Sequence, residues 1–345
     1  MSNGIGEPPQ VSVLIVGHES WMDLQTCLPA IAGGCASHKR ETTGAESLLF
    51  EIVVFDNASA DGSVGNLCRI FPDVRVLASA RNLGFAAGSN RAAEVALGDY
   101  FLLLNPDAVV DEGAISRAVE CLSSTPMCGL LGGRTVLPDG RDGSAAYWRL
   151  PSLRSTLCWA TGLSSFRRGS RWLDPETIGT PLVPAERKPL RVGAVSGCFL
   201  LVAAEVWREL GGFDERYFLY GEDLDLATRA TAAGYTPAVD LAVTFRHRVG
   251  GSARSTATRR TAVLTGRVTW YLTTWSPAKA RFAVLMLQFG VVLRCLAAML
   301  GLASQDWSVS WAARAQWRDG YPALNASAPV RKVPLWRRAI PSRRS

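Results

Sequence analysis

The chain is 345 residues long, 48% apolar and 19% charged, which supplies a full hydrophobic core and excludes disorder for the bulk of it. Its net charge of +7 is unevenly placed: residues 246–345 hold 17 Lys and Arg against two acids, a net +15, and leave −8 on the preceding part. An acidic body followed by a basic, Trp-containing tail suits a phosphate-bearing partner, either nucleic acid or an anionic membrane face.

Met1 to Gln10 is polar and lacks the charged-then-apolar plan of a secretory leader. The eight cysteines stand singly, without zinc-type or thioredoxin-type spacing, and apolar neighbours such as Phe199 beside Cys198 favour buried reduced thiols. Both features imply a reducing cytoplasmic compartment, where the sequon Asn325-Ala326-Ser327 is accidental.

Val11 to Val16 is a β-branched apolar run ending at Gly17, the pattern of a buried parallel strand. A helix is expected from Asp23 to Ile31, a second strand from Glu51 to Asp56, and a third from Val74 to Leu77. Gly88 to Leu97 reads as a helix, Tyr100 to Leu104 as a strand and Asp111 to Ser123 as a helix. This alternation predicts βαβ units and a parallel sheet, with a ligand crevice at the strand ends around Gly17, Asp56 and Asn105 to Asp107. Gly133 to Leu190 has little periodicity and reads as an insertion or flap. An apolar strand is expected over Val192 to Ala203, a helix over Ala204 to Leu210, and a last strand over Val243 to His247. Two helices follow, Thr256 to Trp275 and Lys279 to Leu302, parted at Ser276-Pro277.

Several of these segments carry chemistry, each with a plainer reading beside it. Asp56 at a strand end either accepts hydrogen bonds from a base or ribose or closes an Asx-turn. Arg81 to Asn90 sets a cation, amides and glycines before a helix, where backbone N–H groups meet phosphate. Asp107 beside a diphosphate needs a divalent cation between them; otherwise Asp107 or Asp111 caps the next helix. His247, one of three histidines with His18 and His38, is a metal ligand or a core residue. Glu222, Asp223 and Asp225 open a helix, and the favourable dipole explains one such acid better than three.

The ordered set of Val11 to Val16, Asp56-Asn57 through Ser63, Arg81-Asn82-Leu83-Gly84-Phe85 through Asn90, Asn105-Pro106-Asp107, Gly212-Phe213-Asp214 and Gly221 through Asp225 resembles the family 2 glycosyltransferases of GT-A fold, in particular bacterial rhamnosyltransferases. The resemblance covers roughly residues 10 to 250 and implies a Rossmann-like, mostly parallel α/β sheet flanked by helices, as a catalytic domain over 1–250 with its insertion at about 133–190. Residues 251–345 would form a helical, basic, membrane-associating extension. It further implies nucleotide-sugar contacts from Val16, Gly17, Asp56, Asn57, Arg81, Asn82, Gly84, Phe85, Gly88, Asn90, Asn105, Asp107 and Gly197. Mg²⁺ or Mn²⁺ would be held by Asp107 and His247, with Asp223 as catalytic base and Glu222 orienting the acceptor. Two positions depart from the family pattern: Asn105 replaces the first carboxylate of the metal motif, and Gly17-His18-Glu19 replaces the usual Thr-Tyr-Asn. The implied reaction is inverting, with dTDP-rhamnose as donor and a polyprenyl-diphosphate-linked or glycan acceptor in cell-wall or surface glycan synthesis. Another donor sugar, such as galactofuranose or N-acetylglucosamine, is the near alternative; a non-enzymatic basic protein binding membrane or RNA is the distant one.

In the tail, Arg281 to Arg294 is apolar enough to pack on the body, lie on a membrane or span it, and Gln288 and Arg294 argue against spanning. Trp307, Trp311, Arg314 and Arg318 share a helical face suited to a lipid interface. With Arg331, Lys332, Arg337, Arg338, Arg343 and Arg344 they predict attachment to the cytoplasmic face of the membrane, with no nucleic-acid partner and with room for a homo-oligomer.

Overall fold

Apolar runs that stop at glycine or an acid build the first half of the sheet: β1 (Val11–Gly17), β2 (Phe50–Asp56), β3 (Arg75–Ala78) and β4 (Tyr100–Leu104), separated by α1 (Trp21–Gly34), α2 (Ser63–Ile70) and α3 (Phe85–Ala93). The computed structural model describes residues 9–36, 48–137, 139, 141, 143, 146–167, 169–178, 189–247 and 256–322. His38, the sequon at 325–327 and the basic residues from 331 to 344 lie outside the described residues. The four strands pair in parallel in the order β3-β2-β1-β4, with Gly17 opposite Asp56 and Asp56 opposite Ala78, so their carboxyl ends share one edge.

The second half of the sheet is mixed. The elements that follow are β5 (Ala108–Val110), α4 (Ala114–Ser124), β6 (Cys128–Thr135), β7 (Tyr147–Trp148), α5 (Leu153–Ala160), β8 (Leu190–Arg191), β9 (Ala194–Val195), β10 (Phe199–Ala203), α6 (Ala204–Leu210), α7 (Glu222–Ala232) and β11 (Thr236–His247), of which β7 and β9 pair with each other in a separate two-stranded sheet. Strand β10 runs antiparallel between β4 and β6, and β11 pairs parallel with β6 and antiparallel with β5. This is the α/β architecture expected, a central sheet flanked by helices with a helical C-terminal region: α8 (Thr256–Thr274), α9 (Pro277–Met299), α10 (Asp306–Ala312) and α11 (Arg314–Trp317).

Several boundaries differ from the sequence expectation, each for a local reason. Helix α3 starts at Phe85, three residues before Gly88, because Gly84 at φ 85° turns the chain and Phe218 O receives the Phe85 N–H at 2.8 Å. Helix α4 starts at Ala114 behind the left-handed Gly113 with no side-chain cap, so neither Asp107 nor Asp111 caps it. Asp111 instead takes the Thr244 hydroxyl. The run Val192 to Ala203 breaks into β9 and β10 at Ser196-Gly197-Cys198, where the Phe85 ring lies against Gly197 and leaves no room for a Cβ. The predicted insertion contains a helix, α5, whose start is fixed by a reciprocal Ser152–Ser155 capping box.

The C-terminal helices join the same core. Trp270, Tyr271 and Trp317 are fully buried, and the Trp270 indole N–H donates to Thr228 Oγ1 of α7 at 3.0 Å. Arg294, on α9, turns inward: its guanidinium donates to Trp159 O and Gly290 O and lies 4.1 Å over the Trp159 ring. The expected aromatic and basic stripe is interrupted, since α10 ends at Ala312 and Trp307 packs edge-on against Trp159. By length and composition, α9 is the one described helix apolar enough to cross a membrane, at a mean hydropathy of 2.0, but a third of that window is buried inside the protein.

Candidate active site

The crevice is built where β1, β2 and β4 end. Gly17 O accepts the Asn57 N–H at 2.7 Å, and the His18 ring nitrogen Nδ1 sits 3.0 Å from Asn57 O, so the departing Gly17-His18-Glu19 segment is fastened to the loop after β2. Glu19, at φ 53°, adds a further tie by accepting the Ala60 N–H. Asp56 is buried, and its Oδ2 accepts the Ser59 N–H at 3.0 Å. That is the turn-closing bond of the plainer reading, and it engages one of the two carboxylate oxygens.

The glycine-rich loop divides between ligand-facing and supporting residues. Asn57 is buried, with Nδ2 donating to Gly84 O at 2.9 Å and Oδ1 accepting from Leu83 N at 2.7 Å, so its amide is committed to holding the loop. Asn90 likewise spends its amide on Phe213 N, Phe213 O and Glu215. These two side chains therefore hold the backbone of the loop in place. Gly88 admits helix packing, because a Cβ there would meet Val16 Cγ1 at 2.8 Å and Phe55 Cδ1 at 3.1 Å. Val16 thus lies beneath α3. Asn82 closes the turn to Gly84 N at 2.9 Å, while Arg81 is exposed and its guanidinium has no partner among the described residues. Arg81 is the loop's available cation.

The turn after β4 leads Asn105-Pro106-Asp107 into β5, and β5 pairs with the end of β11 so that Ala108 faces His247. Topology, not sequence proximity, brings His247 to Asp107: Nε2 lies 3.1 Å from Asp107 Oδ1 and 3.3 Å from Asn105 Nδ2. The Asp107 side chain is only 3% exposed, yet Oδ1 has no well-directed hydrogen bond, the close imidazole being poorly aligned for one. A buried carboxylate oxygen left in this state is costly unless something else is to be bound. No three His, Cys, Asp or Glu gather to cage a metal among the described residues. One carboxylate and one imidazole nevertheless fit a divalent ion whose remaining positions are filled by phosphate oxygens and water.

The acid cluster is delivered by a strained turn. Tyr220 at φ 66° and Gly221 at φ 96° both lie in the left-handed region just before α7. Gly266 of α8 makes this possible, since a Cβ there would lie 2.0 Å from Tyr220 O. Tyr321 fastens the preceding residues through its hydroxyl, which donates to Leu219 O at 2.5 Å. The three acids then separate. Asp225 is paired with Arg229, which also donates to Leu210 O and Gly212 O, a structural role. Glu222 is 4% exposed with Oε2 unpartnered, and burial together with neighbouring Asp223 pushes its carboxyl well above the usual range. Asp223 is half-buried and accepts from Leu224 N at 2.8 Å; burial raises its pKa to about 6, against the nearby Gly197 and Gly221 backbone, which favours the carboxylate.

Ser196-Gly197-Cys198 is the hinge of the site. The Gly197 backbone favours the ionised form of Asp223, and Cys198 O accepts the Asn105 N–H at 3.1 Å. Burial pushes the Cys198 thiol up to about 12, and the carboxylates of both Asp107 and Asp223 add to that shift. The two acids therefore flank one tripeptide. The sequence reading missed Tyr220 and the support from Gly266 and Tyr321, because positive φ at a tyrosine and contacts made about 45 to 100 residues away leave no local signal.

A family model described as glycosyl transferase family 2 matches residues 12–175. The chain is 32% identical over 230 residues to the N-acetylglucosaminyl-diphospho-decaprenol L-rhamnosyltransferase of Mycobacterium tuberculosis, covering 61% of this chain and 71% of that protein. It is 28% identical over 212 residues to the O-antigen biosynthesis protein RfbC of Myxococcus xanthus, covering 60% of this chain and 16% of the longer relative. Among solved structures, GalNAc-T7 with UDP, GalNAc and Mn²⁺ superposes at a TM-score of 0.57 and 17% identity, over 90% of this chain and 58% of that one. The mannosyltransferase PcManGT of Pyrobaculum calidifontis with GDP-Man and Mn²⁺ gives 0.52 at 17% identity, over 89% and 79%. At these identities the structures speak for the fold.

Proposed function

Because this chain belongs to the family 2 glycosyltransferases, we propose that it transfers L-rhamnose from dTDP-rhamnose, with inversion, to a prenyl-diphosphate-linked acceptor in surface-glycan synthesis. The observation that carries this reading is the hinge: Cys198 O holds the Asn105 N–H of the Asn105–Asp107 turn at 3.1 Å, and the charges of both Asp107 and Asp223 act on the Cys198 thiol, so the two acids converge on this segment. A single displacement needs a base on the acceptor face and anionic leaving-group support on the opposite face of the sugar, and this arrangement offers both.

Asp107 Oδ1 and His247 Nε2 would hold a divalent cation, in keeping with the Mn²⁺ in two structural neighbours. When bound, it supplies Lewis-acid stabilisation of the departing diphosphate. Asp223 takes the proton of the attacking hydroxyl, and its pKa of about 6 keeps it ionised at neutral pH while close enough to that pH to accept a proton usefully. Arg81 meets the phosphates, Asp56 the nucleotide, and Asn57 and Asn90 fix the loop that shapes the pocket. Glu222, whose carboxyl burial and Asp223 together push up, follows the Tyr220-Gly221 turn directly and lies beside the base.

A thermal-shift panel tests the donor. dTDP-rhamnose with Mn²⁺ is expected to raise Tm more than UDP-galactose, UDP-N-acetylglucosamine or GDP-mannose, by about 2.7 kcal/mol of stabilisation at one hundred times Kd. A larger shift with any of the other three would replace rhamnose as the proposed sugar.

We place the enzyme at the inner membrane face through α9. Phe282, Leu285, Phe289, Leu296 and Met299 are each more than 40% exposed and recur at helical spacing on the side opposite its packed face. Burying such side chains is worth about 1.5–3 kcal/mol each, so Phe282→Ser with Leu285→Ser and Phe289→Ser should cut binding to phosphatidylglycerol vesicles by about tenfold or more. Unchanged co-sedimentation would remove this face from the attachment.

A further inference from the structure

A second cavity, of about 450 Å³, opens between the insertion and the C-terminal helices and is lined by Arg259, Arg260, Arg267, Glu176, Trp159 and Trp307. We infer that it holds the diphosphate of the prenyl-linked acceptor, an assignment that rests on the transferase reading above.

The charge balance is cationic where it matters. Arg267 is neutralised by its ion pair with Glu176, and Asp174, also on the wall, accepts the Gly169 N–H. Arg259 and Arg260 have no carboxylate within ion-pair distance among the described residues. Arg260 lies 3.8 Å over the Trp307 ring, and its Nη1 is buried without a hydrogen-bond partner. A desolvated guanidinium N–H with nothing to donate to is a costly arrangement that an anion relieves. Both arginines stand near the start of α8, where the helix dipole adds to the attraction for phosphate. Glu176 Oε1, buried and unpartnered, provides an acceptor for a sugar hydroxyl. Val263 and Leu287 give the same cavity an apolar wall for the first isoprene units.

The cavity is also connected to the proposed base. The positive charge of Arg259, on the cavity wall, acts on Tyr220, which immediately precedes Gly221 and the acids of α7. A sugar carried on a diphosphate at Arg259 and Arg260 is thereby directed at the Tyr220-to-Asp223 turn, while the donor diphosphate occupies the separate Asp107 side. The exposed apolar side of α9, the helix that contributes Leu287, offers a continuation for the lipid chain.

Calorimetric titration of the full chain with farnesyl diphosphate, inorganic pyrophosphate and, in parallel, dTDP with Mn²⁺ tests this. Farnesyl diphosphate should bind more tightly than pyrophosphate, and Arg260→Gln or Arg259→Gln should each weaken it about tenfold while leaving dTDP affinity within about twofold. Arg260→Lys, which keeps the positive charge beside the Trp307 ring but not the planar fork, should restore part of the loss and guards against a mere folding defect. Equal affinity for pyrophosphate would overturn the lipid-linked source. Unchanged farnesyl diphosphate binding in the Arg259→Gln, Arg260→Gln double variant, or its competition with dTDP for one site, would overturn the pocket. Loss of dTDP binding with arginine-dependent farnesyl diphosphate binding intact would instead count against the donor assignment and support the pocket.

Discussion

Replacing Asp223 by asparagine is expected to lower kcat for the proposed rhamnosyl transfer by about 10²–10⁴-fold, the usual contribution of a positioned general base, with donor affinity unchanged. Asparagine keeps the size and the acceptor oxygen that takes the Leu224 N–H, so the turn survives and only the proton acceptor is lost. The wild-type enzyme should report the same group through pH. Burial raises the Asp223 pKa from 3.8 to about 6, so the ionised base, and with it the rate, falls as pH drops through 6 and levels above it. Stability runs the other way. A carboxyl whose folded pKa lies above its unfolded value contributes stability that is complete below pH 4 and lost as pH rises through 6. Asp223→Asn removes this loss, and Tm at pH 7.5 should rise, on the order of 2 °C. Near-normal transfer by the variant would exclude Asp223 as the base.

How much of this was legible in the chain follows from the range of the interactions. β1, β2 and β4 are local apolar runs with a clear period, and α7 begins at Glu222, directly after the Gly221 of the acid cluster. What local pattern does not encode is commitment. Asn57 and Asp56 are adjacent polar residues at the same strand end, but only the fold reveals that the amide is consumed by Leu83 and Gly84. The three acids of α7 look alike in sequence; Arg229, the Gly197 backbone and an enclosed cavity give them three different states. The break at Ser196 to Cys198 was hidden for a related reason. An apolar run around a single glycine reads as one strand unless the Phe85 ring, more than a hundred residues earlier, is known to press on it. The C-terminal helices were read chiefly for their charge and apolarity, whereas Gly266 and Tyr321 use them to hold the catalytic turn.

Asp107→Asn is expected to abolish the metal-dependent part of donor binding and to reduce kcat/KM by about 10²–10⁴-fold, the equivalent of the several kcal/mol that metal-assisted leaving-group stabilisation supplies. The test is a matrix of melting temperatures: wild type and variant, each alone, with dTDP, and with dTDP plus Mn²⁺. A structural role for Asp107 would appear as a lower Tm in the protein alone. The geometry argues for the opposite result, because Oδ1 makes no well-directed hydrogen bond, the helix that follows is not capped by it, and the nearby His247 imidazole is poorly aligned to it. Asparagine preserves the shape and removes a buried charge, so the unliganded Tm should stay near that of wild type, while the added shift from Mn²⁺ disappears. His247→Gln, which retains a donor or acceptor at the same place, should lose less of that shift. A Mn²⁺-dependent shift that survives in Asp107→Asn would detach this turn from the cation and remove the support it gives to the leaving diphosphate.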